Sequence, residues 1–296
     1  MASFFVPLAP IVFVCLWATG FVGARLGMPY AEPASFLALR YAIAFVLLAL
    51  FALAMGAKWP RGRDAFHTLV VGALVHGVYL GMVFWAVRNG MPGGVSAIIV
   101  GLQPLLSAIL AGAWLKEPIT HRHWGSLAIG MAGVLLVLGP GLDANDSGIT
   151  PVTIAACLLA VIAIATGTIY QKRFATTTDL RTGTALQYIG ALIPTLAFAF
   201  AFESFQITWN GQSLFALAWL VTVLSISAVF LLMWLIREGS VARVSSLFFL
   251  VPAVASLMTW YLFGETLVPL QLAGMVLCAT AVALAARKSG TAAAKV

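Results

Sequence analysis

Phe84-Trp85-Ala86-Val87-Arg88-Asn89-Gly90 recurs as Met233-Trp234-Leu235-Ile236-Arg237-Glu238-Gly239, with Trp, Arg and Gly each displaced by 149 positions. Val95-Ser96 repeats as Val244-Ser245 at the same offset. Downstream, Pro104 and Glu117 pair with Pro252 and Glu265 at an offset of 148. Upstream, Ala18-Thr19-Gly20, Arg25 and Arg40-Tyr41 pair with Ala165-Thr166-Gly167, Lys172 and Gln187-Tyr188 at 147. Offsets of 147, 149 and then 148 along the chain are what small insertions and deletions leave in a duplicated unit. Self-similarity on this scale decides the architecture, because each copy folds as one unit.

Each copy is built from apolar runs. The 296 residues are 62% hydrophobic and 8% charged, with a mean hydropathy of +1.05. Soluble domains carry about 25% charged residues, so a water-soluble fold is excluded and the solvent is a lipid bilayer. Runs of about 20 residues, the length that spans a bilayer as a helix, fall at 6–24, 34–55, 66–87, 93–115 and 122–139. A second set follows at 150–171, 182–202, 213–236, 241–263 and 267–286. Five spans per copy is odd, so the second copy enters the membrane from the opposite side. The expected fold is an all-α integral membrane protein with ten transmembrane helices in two five-helix inverted repeats, 6–139 and 150–286, before a cytoplasmic tail at 287–296. In such folds a substrate sits near the midplane where the repeats meet, and one half rocks against the other.

The net charge of +7 would raise nucleic acid as a partner in a soluble chain. Here the basic residues stand singly or in threes between apolar runs, so they report topology and no nucleic-acid partner is expected. Thirteen of the 16 Lys and Arg fall in alternate loops or the tail: Lys58, Arg61, Arg63, Lys116, Arg122, Lys172, Arg173, Arg181, Arg237, Arg243, Arg287, Lys288 and Lys295. Arg25 and Arg88 lie on the other side, and Arg40 lies within a span. Cytoplasmic loops carry the basic excess, which places both termini in the cytoplasm. Met1 to Phe5 has no basic region of the signal-peptide kind, so the first run is kept as a span. Cys15, Cys157 and Cys278 sit in apolar runs and read as small hydrophobes. No cofactor or metal is indicated.

Ionisable groups inside a membrane are costly and default to functional roles. Asp and Glu occur at 32, 64, 117, 143, 146, 179, 203, 238 and 265, all in loops or at span ends. An antiporter of lipophilic cations needs an embedded carboxylate, so zwitterionic or anionic substrates rank above it. Arg40, about 10 Å from the outer end of its span at 1.5 Å per residue, either snorkels, clamps helices, or attracts a substrate carboxylate. His76 lies mid-span and either satisfies a neighbouring helix or lines a cavity. Tyr79, three residues on, shares its helical face. Trp85 and Trp234 suit an interfacial belt, whereas Trp17 is deeper and able to stack on a side chain. Gln103 precedes mid-span Pro104, where a proline frees a carbonyl, and Pro252 repeats this beside Phe248 and Phe249. Ser96, Ser225, Ser227, Ser245 and Ser246 offer neutral hydrogen bonds, although Ser within a span often bonds its own helix. Ala97 with Gly101 and Ala108 with Gly112 let helices approach closely. Spans five (Ser126, Gly130, Gly133) and ten (Gly274, Cys278) carry few polar side chains and are expected at the periphery, facing lipid or a second copy, in a monomer or weak dimer.

Trp17-Ala18-Thr19-Gly20-Phe21, Leu39-Arg40-Tyr41, and the span ends Pro104 to Lys116-Glu117-Pro118-Ile119-Thr120 and Pro252 to Gly264-Glu265-Thr266-Leu267 resemble the drug/metabolite transporter superfamily, in particular the duplicated EamA-type domain. The likeness covers residues 6–286. It implies an inner-membrane carrier, commonly an exporter of amino acids or other small metabolites, and the Trp- and Phe-rich character is most similar to amino-acid exporters that include aromatic ones. Nucleosides, vitamins or neutral drugs are the alternative small-molecule substrates. The second copy departs from the first, with Ile164 opposite Trp17 and Gln187 opposite Arg40, so the pathway is expected to be symmetric in shape and asymmetric in chemistry. Substrate contacts are expected from Trp17, Arg40, His76, Tyr79, Gln103, Ser225, Ser245 and Phe248. An embedded enzyme is disfavoured because His121 and His123 lack Cys or acidic partners at ligand spacing, and a channel would need a pore ring from oligomerised spans and a polar-lined path, which saturable counterflow would exclude.

Overall fold

A computed structural model describes residues 8–91, 96, 99–117, 119–141, 149–239, 241–264 and 267–286. Val95, Ala97, Pro118, Asp143, Asp146, Glu265, Thr266, the first two residues of the 6–24 run, and the tail 287–296 lie outside the described residues, as does the side chain of Arg25. Among the described residues all regular elements are helical, and the one β contact is an isolated antiparallel bridge between Ala31 and Ile207. The helices form ten segments: α1 Ala9–Gly27, α2 Pro33–Ala54, α3 Arg63–Arg88, α4 Gln103–Leu115, α5 His121–Leu138, α6 Pro151–Phe174, α7 Leu180–Phe202, α8 Gly211–Glu238, α9 at 241–263 and α10 Pro269–Ala286. Six (α2, α3, α6, α7, α8 and α9) are long and apolar enough by themselves to cross a membrane. The rest are shorter, or, in α5, diluted by the opening His121-Arg122-His123.

Local chemistry sets the helix ends. Pro33 and Pro151 open α2 and α6 at the first turn, where a missing N–H costs nothing. Thr150 with Thr153 and Asn210 with Ser213 form reciprocal capping boxes on α6 and α8. Lys116 (φ 54) ends α4 and Gly264 (φ 67), its repeat mate 148 positions on, ends α9, both in the left-handed conformation of a C-cap. Several basic residues assigned to loops by hydropathy are instead in terminal helical turns. Lys172 and Arg173 close α6 and Arg237 closes α8, where a cation faces the negative end of the helix dipole.

The links obey a strict alternation of faces. Lys58 O accepts from Thr182 Oγ1, Trp114 O from Arg173, Thr178 O from Arg237, and Glu117 from the Val241 N–H. All of these join loops or helix ends on one face, here called the basic face. On the opposite face, Glu203 accepts from the Ala34 and Ser35 N–H groups at 2.8 and 2.7 Å, and Glu32 accepts from the Ser204 and Gln206 N–H groups at 2.9 and 3.0 Å.

Packing follows the duplication. α1 packs on α8 and α9 while its mate α6 packs on α3 and α4, and α2 packs on α8 while α7 packs on α3. α2–α7, α4–α9 and α5–α10 each pair with their own mate, so these three junctions mark a pseudo-two-fold axis. Lipid tails are as apolar as Leu and do not drive helices together, so close approach of small residues does. In α5–α10, a Cβ on Gly133 would meet Gly274 O at 2.8 Å, and one on Gly274 would meet Gly133 O at 2.7 Å. Both the Cys278 Sγ and the backbone of α10 fill the Gly133 surface. The small-residue faces of α5 and α10 are thus packed against each other, while Leu135, Leu270, Leu272 and Val276 stay exposed on these two helices. Gly274→Leu is expected to lower the thermal midpoint of detergent-solubilised protein by more than the about 1–3 kcal/mol of ordinary overpacking, because the nearest atoms a Cβ meets there are backbone.

Candidate functional site

Seven of the eight predicted residues gather at three junctions between helices, and Tyr79 lies apart from them. The first lies where α2 and α3 meet α7 and α8. α3 and α8 are not regular here: Ala73–Val78 and Leu220–Ala228 form wider π turns, features that recur at functional sites. A π turn leaves a carbonyl without its usual helical N–H. Tyr41 OH donates to His76 O at 2.9 Å, and Tyr188 OH donates to Ser225 O. His76 and Ser225 are 149 positions apart and Tyr41 and Tyr188 are 147 apart, so the two phenol bonds are copies of one another. The Tyr rings stack across the junction, centroids 5.6 Å apart at 22°, and the His76 ring stacks on Tyr188 at 5.2 Å and 29°.

The cross-repeat contacts are copied too, with one change of charge. Arg40 Nε donates to Ser225 Oγ at 2.7 Å, and the Gln187 side chain lies against His76. Arg40 is only 2% exposed, and its guanidinium carbon lies 5.8 Å from the Tyr41 ring centroid. Among the described residues it has no carboxylate at ion-pair distance; the ion pair described is Arg181 with Asp179, 2.7 Å, on the basic face. That pairing holds the Asp179 carboxyl below its usual range, chiefly through the Arg181 side-chain hydrogen bond. His76 Nε2 and Gln187 Nε2 are buried without a hydrogen-bond partner among the described residues. The burial of Arg40 and its bond to Ser225 are in keeping with the clamp and substrate readings.

Tyr79 departs from expectation. It packs against Ala160, Ala163 and Ile164 of α6, whereas His76 faces α7. Three-residue spacing puts two side chains on one face only in a regular α-helix, and the π turn ending at Val78 rotates them apart.

The second junction is α4–α9. Gln103, 1% exposed, donates Nε2 to Ser107 Oγ at 3.1 Å and to Ser245 Oγ at 3.4 Å, while Oε1 has no partner among the described residues. Residues 96, 99 and 100 are helical, a turn at 101–102 breaks the 93–115 run, and α4 restarts with Gln103 and Pro104 in its first turn, where a proline is tolerated. The third junction is α1–α9, where Phe13, Trp17 and Phe248 form a triad with centroids 5.3–5.5 Å apart. Trp17 is half-buried and touches both this cluster and the one holding Tyr41 and Tyr188. Ser227 and Ser246 bond their own helices through Thr222 O and Arg243 O. Tyr41 and Tyr188 are not among the expected contacts, although the repeat pairs Arg40-Tyr41 with Gln187-Tyr188.

Comparison with known proteins fixes the family. The EamA-like transporter family matches twice, at 5–139 and 152–287. An uncharacterized inner membrane transporter, YedA, of Escherichia coli (strain K12) is 28% identical over 254 residues, covering 85% of this chain and 81% of its own. A probable amino-acid metabolite efflux pump of Salmonella typhimurium is 25% identical, covering 90% of each. Protein PecM of Dickeya dadantii is 26% identical, covering 88% of this chain and 86% of its own. A solved crystal structure at 18% identity superposes with a TM-score of 0.80, covering 94% of this chain and 95% of the other; it shares the fold. With ten helices paired about a pseudo-two-fold axis and both halves matched, this multi-pass membrane protein belongs to the EamA-like transporter family.

Proposed function

We propose that the protein exports amino acids, aromatic ones included, and related small carboxylate metabolites across the inner (plasma) membrane by alternating access. Its two repeats are 6–139 and 150–286, with α1 and α6 each packed on helices of the other repeat, and both termini are cytoplasmic. The observation that carries the carboxylate class is Arg40, a buried guanidinium with a single side-chain bond, to Ser225, and no described counter-ion. Desolvating such a charge costs several kcal/mol, and a substrate carboxylate offsets that cost only while bound. His76, Gln103, Ser225 and Ser245 supply neutral hydrogen bonds, and Trp17, Tyr79 and Phe248 supply apolar wall. The name of the Salmonella relative is in keeping with this substrate class.

Counterflow in proteoliposomes tests it. Amino acids and their 2-oxo acids are expected to drive saturable exchange, and the corresponding methyl esters are not. Esters exchanging as well as acids would remove the carboxylate reading, and unsaturable flux would indicate a channel. The same vesicles with and without a pH gradient separate facilitation from proton coupling through His76.

A further inference from the structure

On the basic face the ends of four helices are tied by charged side chains. Lys172, in the last turn of α6, donates its ammonium to Ile236 O at 2.8 Å, Arg237 O at 3.0 Å and Gly239 O at 2.9 Å. The last carbonyls of a helix have no intrahelical donor, and an ammonium has three protons, so one side chain completes the end of α8. Its neighbour Arg173 donates Nη1 to Trp114 O at 3.1 Å at the end of α4. Arg237 returns from α8 to Thr178 O in the α6–α7 link. Glu117, just past α4, accepts the Val241 N–H at the start of α9 at 3.4 Å. The Lys172, Arg237 and Glu117 bonds join the bundle in which α6 packs on α3 and α4 to the one in which α1 packs on α8 and α9, so a rocking of these two bundles would part them, whereas the Arg173 bond lies inside the first bundle.

These helices carry the proposed contacts Gln103, Ser225, Ser245 and Phe248 in their interiors. None of the ties to Lys172 is an ion pair: the acceptors are carbonyls, which water replaces readily once the helices part. A charge-assisted bond set of this kind is strong when dry and exchangeable when wet.

We propose that Lys172 is the latch of the cytoplasmic gate, a positioning residue whose ammonium holds the end of α8 and the start of the α8–α9 link onto α6 in the state seen here and leaves these carbonyls when the protein opens to the cytoplasm. The inference rests on the alternating-access reading and on the basic face being cytoplasmic. Its repeat mate in sequence is Arg25, on the opposite face.

The test is sided accessibility. Ser225→Cys is introduced as a reporter, with the chain lacking it measured in parallel as background for the native cysteines. An impermeant thiol reagent is applied to the basic-loop face in inverted vesicles and to the other face in right-side-out vesicles. Lys172→Gln is expected to raise labelling from the basic face roughly tenfold, a population shift towards the open state, and to lower labelling from the other face. Lys172→Arg, which keeps the charge, is expected to stay near the parent. Folded Lys172→Gln protein labelled at the parent rate from both faces overturns the proposal. Should Lys172→Gln fail to fold, Lys172→Met, which fills similar space without a donor, is expected to shift labelling in the same direction, and an unchanged rate there overturns it. Absence of counterflow in the parent would instead count against the transport reading, since labelling reports conformation alone.

Discussion

Arg40→Gln is expected to cut carboxylate counterflow by about tenfold to a hundredfold, since a hydrogen bond to a charged group contributes about 1.5–3 kcal/mol, while leaving the protein folded. The choice of Gln comes from the chain itself. The equivalent position in the second repeat is Gln187, which is buried in the same surroundings: stacked Tyr41 and Tyr188, a π turn, and the partner helix across the pseudo-two-fold axis. The substitution therefore makes the cluster symmetric. Stability is expected to be unchanged or to rise, because removing a buried charge without a counter-ion removes its desolvation cost. Arg40→Lys is expected to recover only part of the rate, since an ammonium cannot offer a planar fork to a carboxylate while one nitrogen stays on Ser225. Initial counterflow rates, together with thermal midpoints with and without a saturating amino acid, check this. If Arg40→Gln transports at the parent rate and loses stability, Arg40 is a helix clamp and the carboxylate reading falls.

Much of the architecture was legible in the sequence because membrane folds obey few rules. Twenty-residue apolar runs, the basic bias of alternate links and a five-span repeat together leave little choice of topology. The observed cross-link hydrogen bonds respect that alternation, from Thr182 with Lys58 on the basic face to Glu32 with Gln206 on the other. The site was less legible. Spacing rules assume a regular α-helix, so the π turn at Ala73–Val78 separated Tyr79 from His76. Hydropathy also treated Lys172, Arg173 and Arg237 as topological charges, although each makes a directional bond to a helix-end or link carbonyl. Tyr41 and Tyr188 were hidden for a related reason: their acceptors are backbone carbonyls released by irregular turns, which composition does not reveal. The repeat alignment held the missing signal, since His76 lies 149 positions from Ser225.

The repeat is not equally tight on its two sides, and the largest stability effects are expected where it is tightest. α3 and α7 cross at Gly72 and Gly190, and the contact is reciprocal. A Cβ on Gly72 would stand 1.9 Å from Gln187 O, three residues before Gly190, and one on Gly190 would stand 2.1 Å from Leu69 O, three residues before Gly72. The mates of these glycines at the α2–α8 crossing are Val221 and Ile43, so that crossing is held apart by side chains. Gly72→Val and Gly190→Val are each expected to abolish recovery of monodisperse protein. Overpacking a flexible core costs about 1–3 kcal/mol, but here the obstruction is backbone oxygen inside a helix, and relief requires moving a whole helix. Gly72→Ala is expected to be recovered poorly with a lowered thermal midpoint. Gly81→Ala, in the same helix with nothing near its Cβ position, is expected to gain about 0.5–1 kcal/mol from helix propensity. Size-exclusion profiles and thermal unfolding of the four variants decide the matter; normal recovery of Gly190→Val would mean that α3 and α7 do not approach so closely. The consequence reaches the site, because the residue whose carbonyl meets Gly72 is Gln187, and this crossing is what brings its side chain against His76.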